Sequence, residues 1–282
     1  MAESIVELLE KGQSACEGDR YRKGNIINLP ANCTLIATGD IHGHRRNYER
    51  IVTYADLADN PQAHVLLHEL IHGGDEDEQG GCLSYELLFD AIRYKLKFPE
   101  QVHFIMGNHD TTFINNAKVM KSGKEMNQSL REAIDRKFGK DSENIKLAMR
   151  QFLFSQPLAV RCANRIWLSH SLPADRYVDD FDFSIFERKL KVNDVVKPGA
   201  AYLFTWGRRI SSDNLSKLAK KFDVDLFVCG HQPHSKGYFR EADNLLILAS
   251  DHNHGCLVPI DLSLDYTVDE LIDSIVPLAS IA

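Results

Sequence analysis

The sequence has 282 residues, of which 44% are hydrophobic, so it can bury the core of one large α/β domain or of two small ones, and we predict a single main domain. Its formal net charge of −7 excludes a general basic surface, so nucleic acid is not expected as a partner. No apolar run approaches the roughly 20 residues that cross a bilayer, so no membrane partner is expected either.

The N-terminal stretch and the cysteines bear on the cellular compartment. The stretch "MAESIVELLEKGQ" has the pattern of a short acidic amphipathic helix and lacks the basic and then apolar regions of a signal peptide. The six cysteines show no CxxC spacing, and some lie in apolar runs such as "LFVCG", where cysteine behaves as a small hydrophobic residue. We therefore predict a cytoplasmic protein without a disulfide framework or a cysteine-based zinc site.

Short apolar runs alternate with helical periodicity in the first half of the chain. Residues 1–29 are predicted as an N-terminal helical segment. The predicted strands that follow are residues 34–39, 63–74 and 101–110, and the predicted helices between them are residues 47–58 and 83–97. This alternation is typical of an α/β layered fold.

Residues 111–150 are polar and helical, and we predict them as an insertion. This insertion could be a lid over a site or only a solvated helical segment, and we favour the second interpretation. The second half then returns to strands, with a hairpin predicted in residues 158–173 and further strands in residues 223–231 and 244–262. We therefore predict that residues 30–282 form a single domain that carries the insertion at about 111–150.

Metal-capable side chains follow these apolar runs, each time at the predicted end of a strand. Taken singly, such residues have an ordinary interpretation, because Gly-Asp and Gly-Asn form turns and a histidine after a strand is often only a satisfied polar residue. Five such fragments in order indicate a site for divalent cations. The fragments carry Asp40 and His42 in "GDIHG", Asp75 in "GGD", Asn108 and His109 in "GNHD", His170 in "LSHSLP" and His231 in "CGHQPH".

The order of these fragments resembles the metallophosphoesterase, or calcineurin-like, superfamily over about residues 30–262. Within it, "GDIHG", "LSHSLPADRY" and "LASDHNHG" are similar to blocks of the phosphoprotein phosphatase branch, which contains the serine/threonine phosphatases. The resemblance implies an α/β protein of the four-layer α+β sandwich type, with a central β-sandwich flanked by helices. It also implies two divalent cations at the strand ends and attack of a metal-bound hydroxide on a phosphate ester.

The resemblance implies a role for each motif residue. Histidine suits a general acid because its ordinary pKa of about 6.5 lies near working pH, and His109 would protonate the leaving group. Mn²⁺ is the expected metal, with Fe or Zn as alternatives, because mixed oxygen and nitrogen ligands accept all three. The implied ligands are Asp40 and His42 for the first metal, Asp75 as the bridge, and Asn108, His170 and His231 for the second metal.

The second motif departs from the pattern of the protein phosphatases, which read G-D-x-V-D-R-G there. This chain has "GDEDEQG", in which Glu78 takes the place of the acid that orients the catalytic histidine, with the neighbouring Asp77 as a substitute. Gln79 takes the place of the arginine that grips phosphate, and it cannot supply a bidentate cation.

Another cation must therefore neutralise the phosphate. Arg208 and Arg209 in "FTWGRR" are the first candidates, although both could be solvated surface residues, and Arg45 and Arg46 come next. His254 lies where the branch places a tyrosine over the site, so substrate contact is predicted for it. Of the other histidines, His44 could support the site indirectly and His234 is unassigned. The core or surface interpretation is favoured for His64, His68, His72 and His103.

The predicted function is a two-metal phosphoesterase, most simply a phosphomonoesterase that acts on a phosphoprotein or a small phosphorylated molecule. The missing arginine keeps open a phosphodiesterase or a nucleotide hydrolase, including one for dinucleoside polyphosphates. A non-catalytic scaffold that keeps the fold is the remaining alternative, and the full set of ligands argues against it.

Overall fold

The computed structural model describes residues 3–282, which form two main β-sheets with helices packed on them. The helices are α1 (Ile5–Glu17), α2 (Arg45–Ala55), α3 (Ser84–Lys97), α4 (Asn108–Asn115), α5 (Met126–Phe138), α6 (Ser142–Ser155), α7 (Ala200–Thr205), α8 (Ser212–Phe222) and α9 (Val268–Asp273). The strands are β1 (Arg22–Lys23), β2 (Ile26–Leu29), β3 (Thr34–Thr38), β4 (Ala63–His68), β5 (Val102–Ile105), β6 (Met120–Lys121), β7 (Lys124–Glu125), β8 (Ala159–Cys162), β9 (Ile166–Ser169), β10 (Leu226–Cys229), β11 (Tyr238–Ala242), β12 (Leu245–Leu248), β13 (Cys256–Asp261) and β14 (Val276–Pro277).

The two main sheets have mixed strand directions. The larger has seven strands in the order β1-β2-β8-β9-β10-β12-β11, and the smaller has five in the order β14-β13-β3-β4-β5. Strands β3, β4 and β5 run parallel in the smaller sheet, as β9 and β10 do in the larger one. Because parallel strands end at the same edge of a sheet, the loops that follow each parallel set gather at one edge of its sheet.

Alternate residues of the strands divide between two hydrophobic clusters, as the two-residue period of a strand requires. Leu35 of β3 and Leu168 of β9 belong to a cluster built from both sheets, whereas Ile36 and Trp167, their neighbours in sequence, pack with helices in the other cluster. The layers are therefore helix, sheet, sheet and helix, and the predicted sandwich is confirmed. No helix within residues 3–282 combines the length and the hydropathy needed to cross a membrane.

The N-terminal segment combines a helix with strands. Helix α1 begins at a capping box, in which the Ser4 side chain accepts from the Glu7 backbone N–H and the Glu7 side chain accepts from the Ser4 backbone N–H. It packs against α3 and α6. Residues 22–29, which we grouped with the N-terminal helical segment, form β1 and β2 of the seven-stranded sheet. Met1 and Ala2 lie outside the described residues, and the division at residue 29 stays a prediction.

A buried polar cluster lies beside this N-terminal segment and contains two of the histidines that were interpreted as core or surface. His64 Nδ1 is 2.9 Å from His103 Nε2, and His103 Nδ1 is 3.0 Å from Asp19 Oδ2. Lys95 Nζ donates to the same Asp19 oxygen at 2.7 Å. All four side chains are buried, so each polar group has a partner where water is excluded.

The predicted insertion at 111–150 contains a small hairpin in addition to its helices. Strands β6 and β7 pair antiparallel across Ser122 and Gly123, which both have positive φ angles, 52° and 81°. Two such residues match the twist of a two-residue hairpin turn. The Val119 backbone N–H donates to Glu125 Oε1 at 3.1 Å, and the Met126 N–H donates to Val119 O at 2.9 Å, so the base of the hairpin is tied together.

Candidate metal centre

The loops after β3 and β4 cross closely and bring three donor side chains together. The His42 backbone N–H donates to Glu69 O at 2.6 Å, and a side chain on Gly73 would collide with the backbone oxygen of His42. His42 Nε2 then lies 3.7 Å from Asp40 Oδ2 and 3.8 Å from Glu69 Oε2. His42 Nδ1 donates to Ile71 O at 3.0 Å, which leaves a lone pair on Nε2 for a metal.

Glu69 is a buried acid, and one of its two carboxylate oxygens has no hydrogen-bond partner. It is 1% exposed, its Oε1 accepts from the His109 backbone N–H at 3.0 Å, and its Oε2 is buried with no hydrogen-bond partner. Burial first, and then the nearby Asp110 and Asp40 carboxyls, raise the pKa of Glu69 well above its usual range. A bound cation would relieve this penalty by stabilising the charged form.

A second donor set joins the start of α4 to the ends of β9 and β10. Asn108 Oδ1 is 2.8 Å from His170 Nε2 and 3.0 Å from His231 Nδ1, and the two imidazole nitrogens are 3.1 Å apart. His231 Nε2 is buried without a partner, and burial lowers the pKa of His231 well below its usual range. An amide oxygen and two imidazole nitrogens are suitable ligands for a transition-metal dication.

Asp40 connects the two sets. Its Oδ2 faces His42, whereas its Oδ1 accepts from the His231 backbone N–H at 2.9 Å and lies 3.4 Å from His170 Nδ1. Burial would raise the pKa of Asp40, but the neighbouring imidazoles, His170 first, outweigh it and hold the pKa well below its usual range. The carboxylate is thus charged and ready to bind a cation.

Histidine and carboxylate donors converge in two groups within residues 3–282. One contains Asp40, His68 and His170, the other His42, Glu69 and His109, and the donor atoms of each lie within 4.8 Å of one another. His68 was not predicted as a ligand, but its Nε2 donates to Thr38 O at 2.9 Å, which leaves a lone pair on Nδ1, 3.3 Å from His170 Nδ1 and 3.6 Å from Asp40 Oδ1. Together with the unpaired atoms of Glu69 and His231, these donors fit two divalent cations.

His109, the predicted general acid, is held by another histidine. Its Nδ1 is 2.9 Å from His72 Nδ1, and the His72 backbone N–H donates to Ser84 Oγ at 2.9 Å. Burial first, and then the charge of Lys121, lower the pKa of His109 to about 3. The protein alone therefore keeps this ring neutral, and a phosphate dianion beside it would favour the protonated form.

The structure does not bring Asp75 or Glu78 to these donors. Strand β4 ends at His68, so both side chains lie in the exposed loop beyond it, and the predictions for them need correction. Glu69 is the acid at the strand end, and His72, three positions on, contacts His109. The two acids in G-D-x-V-D-R-G are also three positions apart. When Glu69 and His72 are aligned with these two acids, Gly73, rather than Gln79, falls at the position of the arginine.

A cavity of about 180 Å³ lies over the donors, and the predicted substrate residues differ in whether they line it. Arg208 lines both this cavity and the neighbouring cleft beside Ser171, whereas Arg209 lines that cleft and not the cavity. His254 is exposed and does not line the cavity. The lining residues are Asp40, His42, Asn108, His109, Met120, Lys121, Arg208, His231, Gln232, Pro233, Ala249 and Asp251.

Arg45 and Arg46, the second pair of candidate arginines, and His44 lie outside the cavity lining. Arg45 Nη1 pairs with Asp90 Oδ2 at 2.8 Å at the surface, and Arg46 is exposed; neither lines the cavity. His44 Nδ1 accepts from the Asn47 backbone N–H at 3.2 Å and so caps the start of α2. The cations that line the cavity are Arg208 and Lys121.

Glu69 and Lys121 are two site residues that the sequence did not lead us to predict, and only Glu69 is marked by a local sequence pattern. Glu69 is a charged residue inside the apolar run "VLLHELI", six residues after the start of the strand, which is a usual strand length. Lys121 lies in a polar insertion, and no local pattern distinguishes it from the other lysines there. Only the folded hairpin brings it to the cavity.

Comparisons with known proteins agree on one family and one fold. The family model described as calcineurin-like phosphoesterase matches residues 33–235. A protein serine/threonine phosphatase from Saccharomyces cerevisiae, described as similar to human phosphatase PP5, superimposes with a TM-score of 0.67 at 15% identity, covering 90% of this chain and 81% of that one. A cold-active protein tyrosine phosphatase superimposes with a TM-score of 0.59 at 13% identity, covering 90% and 82%.

Proposed function

As a member of the calcineurin-like phosphoesterase family, this chain is a metal-dependent phosphoester hydrolase, and we propose that it acts on phosphate monoesters through two divalent cations. The observation that carries this proposal is a small cavity whose floor contains two sets of metal donors and whose rim carries two cationic side chains. Phosphoproteins and small phosphorylated molecules both contain the chemical group that this cavity would accept.

The cation ligands are proposed from the two donor sets. Asp40, His42 and Glu69 would hold one cation, with Glu69 in the role that we had predicted for Asp75. Asn108, His170 and His231 would hold the other, and His68 offers a further nitrogen beside Asp40. When bound, two divalent cations would supply a nucleophilic water at neutral pH and stabilise negative charge on the phosphoryl oxygens. Mn²⁺ is the proposed metal, with Fe and Zn as alternatives.

His109 is the proposed general acid. Its Nδ1 is occupied by the contact with His72, so its Nε2 is the nitrogen that can carry a proton into the cavity. From there it can protonate the alkoxide that leaves when the phosphate ester breaks. The contact with His72 also fixes the plane of the ring, so this proton is directed before the substrate arrives.

Monoesters are preferred in this proposal because of the charge on the rim. A monoester is a dianion near neutral pH, whereas a diester has a single negative charge, so a site with two cationic side chains beyond the metals gains more from the monoester. The cavity volume of about 180 Å³ suits a phosphoryl group, while the rest of the substrate would stay outside.

The test is hydrolysis by the purified protein loaded with Mn²⁺. We expect about two metal ions per chain and faster turnover of p-nitrophenyl phosphate than of bis(p-nitrophenyl) phosphate, with loss of both activities on chelation. His109→Ala should keep its metals and lose about 10²- to 10⁴-fold in turnover of phenyl phosphate, whose leaving group needs a proton. Preferential turnover of the diester would replace this proposal with a phosphodiesterase, and absence of turnover of both esters would refute it.

A further inference from the structure

The hairpin of the insertion carries a cation over the metal donors. Lys121 is the last residue of β6, and its side chain lines the same cavity as Asp40, His42 and His109. Its side chain is 33% exposed, and its Nζ lies 3.3 Å from Asp251 Oδ2. Because Asp251 also lines the cavity, the ion pair sits within the cavity itself.

The charge of Lys121 reaches the side chains on the cavity floor. After burial, Lys121 is the largest cause that lowers the pKa of His42 and of His109. It also counters the raised pKa of Glu69. A negatively charged group bound above these three residues would therefore experience the same positive potential.

The hairpin is anchored where it leaves the body of the protein, so the position of Lys121 is defined. Asn127 Nδ2 donates to Ala117 O at 2.6 Å, and Lys124 Nζ pairs with Glu76 Oε1 at 2.7 Å. Lys124 also donates to the backbone oxygen of Gly80. An isolated two-stranded hairpin is marginally stable, and these contacts supply the stability that it lacks alone.

We propose that Lys121 binds the phosphoryl group of the substrate and supplies the positive charge that the protein phosphatases take from the D-R-G arginine. This inference rests on the proposed function. Gly73 occupies the position of that arginine by spacing, and it has no side chain to offer. On binding, a phosphoryl oxygen would replace the Asp251 carboxylate as the partner of Lys121, since a lysine ammonium is a mobile point charge on a flexible stem.

The insertion then determines substrate preference, because its cation acts only on the charge that a monoester has and a diester lacks. A single charge-assisted hydrogen bond corresponds to roughly a 10- to 100-fold difference in binding. Loss of Lys121 should therefore lower kcat/KM for a monoester by that factor, while kcat/KM for a diester should change much less. The preference between the two substrates is the quantity that Lys121 controls.

The experiment compares Lys121→Met with Lys118→Met, which removes an exposed lysine of the same insertion that does not line the cavity. For each Mn²⁺-loaded protein, kcat/KM is measured for p-nitrophenyl phosphate and bis(p-nitrophenyl) phosphate, with metal content and thermal unfolding midpoint. We expect Lys121→Met to lower the ratio of monoester to diester kcat/KM about 10-fold or more. Lys118→Met should leave that ratio within about twofold.

Binding of inorganic phosphate, measured by calorimetry, separates this inference from the proposed function. Lys121→Met should weaken phosphate binding by about 10-fold or more at unchanged metal content, and this holds even if neither ester is hydrolysed. Equal losses for both esters, or phosphate binding that matches that of Lys118→Met, would overturn the role of Lys121. Wild-type protein that binds metal and phosphate but hydrolyses no ester would refute the proposed function alone.

Discussion

The Nδ1 atoms of His72 and His109 lie 2.9 Å apart, so the two imidazole rings share one proton. Burial lowers the pKa of His72 well below its usual range, and Asn127, whose Nδ2 donates to Ala117 O, opposes this shift. Asn127 Oδ1 and His72 Nε2 are both buried, and neither atom has a hydrogen-bond partner within the described residues. With its proton on Nε2, His72 can accept from His109 through Nδ1.

His72→Ala should impair proton donation more than the other parts of the reaction. We expect turnover of phenyl phosphate, whose leaving group needs a proton, to fall about 100-fold. Turnover of 2,4-dinitrophenyl phosphate, whose leaving group needs none, should fall much less. His72→Asp should recover part of the loss, because a carboxylate also accepts from His109 Nδ1. Equal losses on both substrates would assign His72 to structure only.

Glu69→Gln and Asp75→Asn distinguish the two candidate acids of the second motif. Glu69→Gln keeps the shape of a buried side chain but removes its charge, so metal content should fall below the two ions expected per chain and turnover should fall by at least about 100-fold. Asp75→Asn changes an exposed side chain and should keep both. Elemental analysis after gel filtration measures the difference. The reverse pattern would return the bridging role to Asp75.

Arg208→Ala and Arg209→Ala should differ although the residues are neighbours. Arg208 lines the cavity over the metal donors, and its exposed guanidinium can reach a phosphoryl oxygen. Its loss should lower kcat/KM for p-nitrophenyl phosphate by about 10- to 100-fold. Arg209 lines another cleft, so its loss should change kcat/KM by less than about twofold. Similar effects of the two substitutions would mean that the cavity does not select between them.

The buried His64 should make the protein sensitive to mild acid. Burial first, and then His103, lower the pKa of His64 to about 4, whereas its value in an unfolded chain is about 6.5. Between these values the unfolded state binds more protons, so the free energy of unfolding falls as the pH falls from about 6.5 to 4. The pKa of Asp19 is lowered, so its contribution to the free energy of unfolding is lost at a lower pH. That loss falls mostly outside the pH range in which His64 acts.

His64→Gln removes the titrating group and retains an amide that can bond to His103. Urea unfolding at pH 7 and pH 5 should show a loss of stability on acidification that is smaller in His64→Gln than in wild type by roughly 2 kcal/mol. All other buried histidines are the same in both proteins, so the difference isolates His64. Identical losses in the two proteins would show that His64 is not the group that responds.

The fold and much of the site could be predicted because the relevant signals are local. Apolar runs bounded by glycine mark β3, β5 and β10, and parallel strands place their last residues at one edge. Asp40, His42, Asn108, His170 and His231 follow such runs, and the structure brings these five together. Their roles as ligands stay predictions that metal analysis will decide.

The remainder depends on contacts that are remote in sequence. "GGD" resembles the motif that follows a strand, and the apolar run before it continues past the end of β4. The prediction therefore named Asp75 and Glu78 and missed Glu69 and His72. His254 was assigned by its position in a loop whose conformation no short pattern determines. Lys121 reaches the cavity only because the insertion folds back over the donors.

The metal donors come from both sheets, and this has a consequence for the assembly of the enzyme. Asp40, His42 and Glu69 follow strands of the five-stranded sheet, whereas His170 and His231 follow strands of the seven-stranded one. The hydrogen bond of 2.9 Å from the His231 backbone N–H to Asp40 Oδ1 forms only when the sheets are packed. On the proposed ligand assignment, a nascent chain that ends before residue 231 lacks one ligand, so hydrolysis begins only after β10 has joined the seven-stranded sheet and the two sheets have packed.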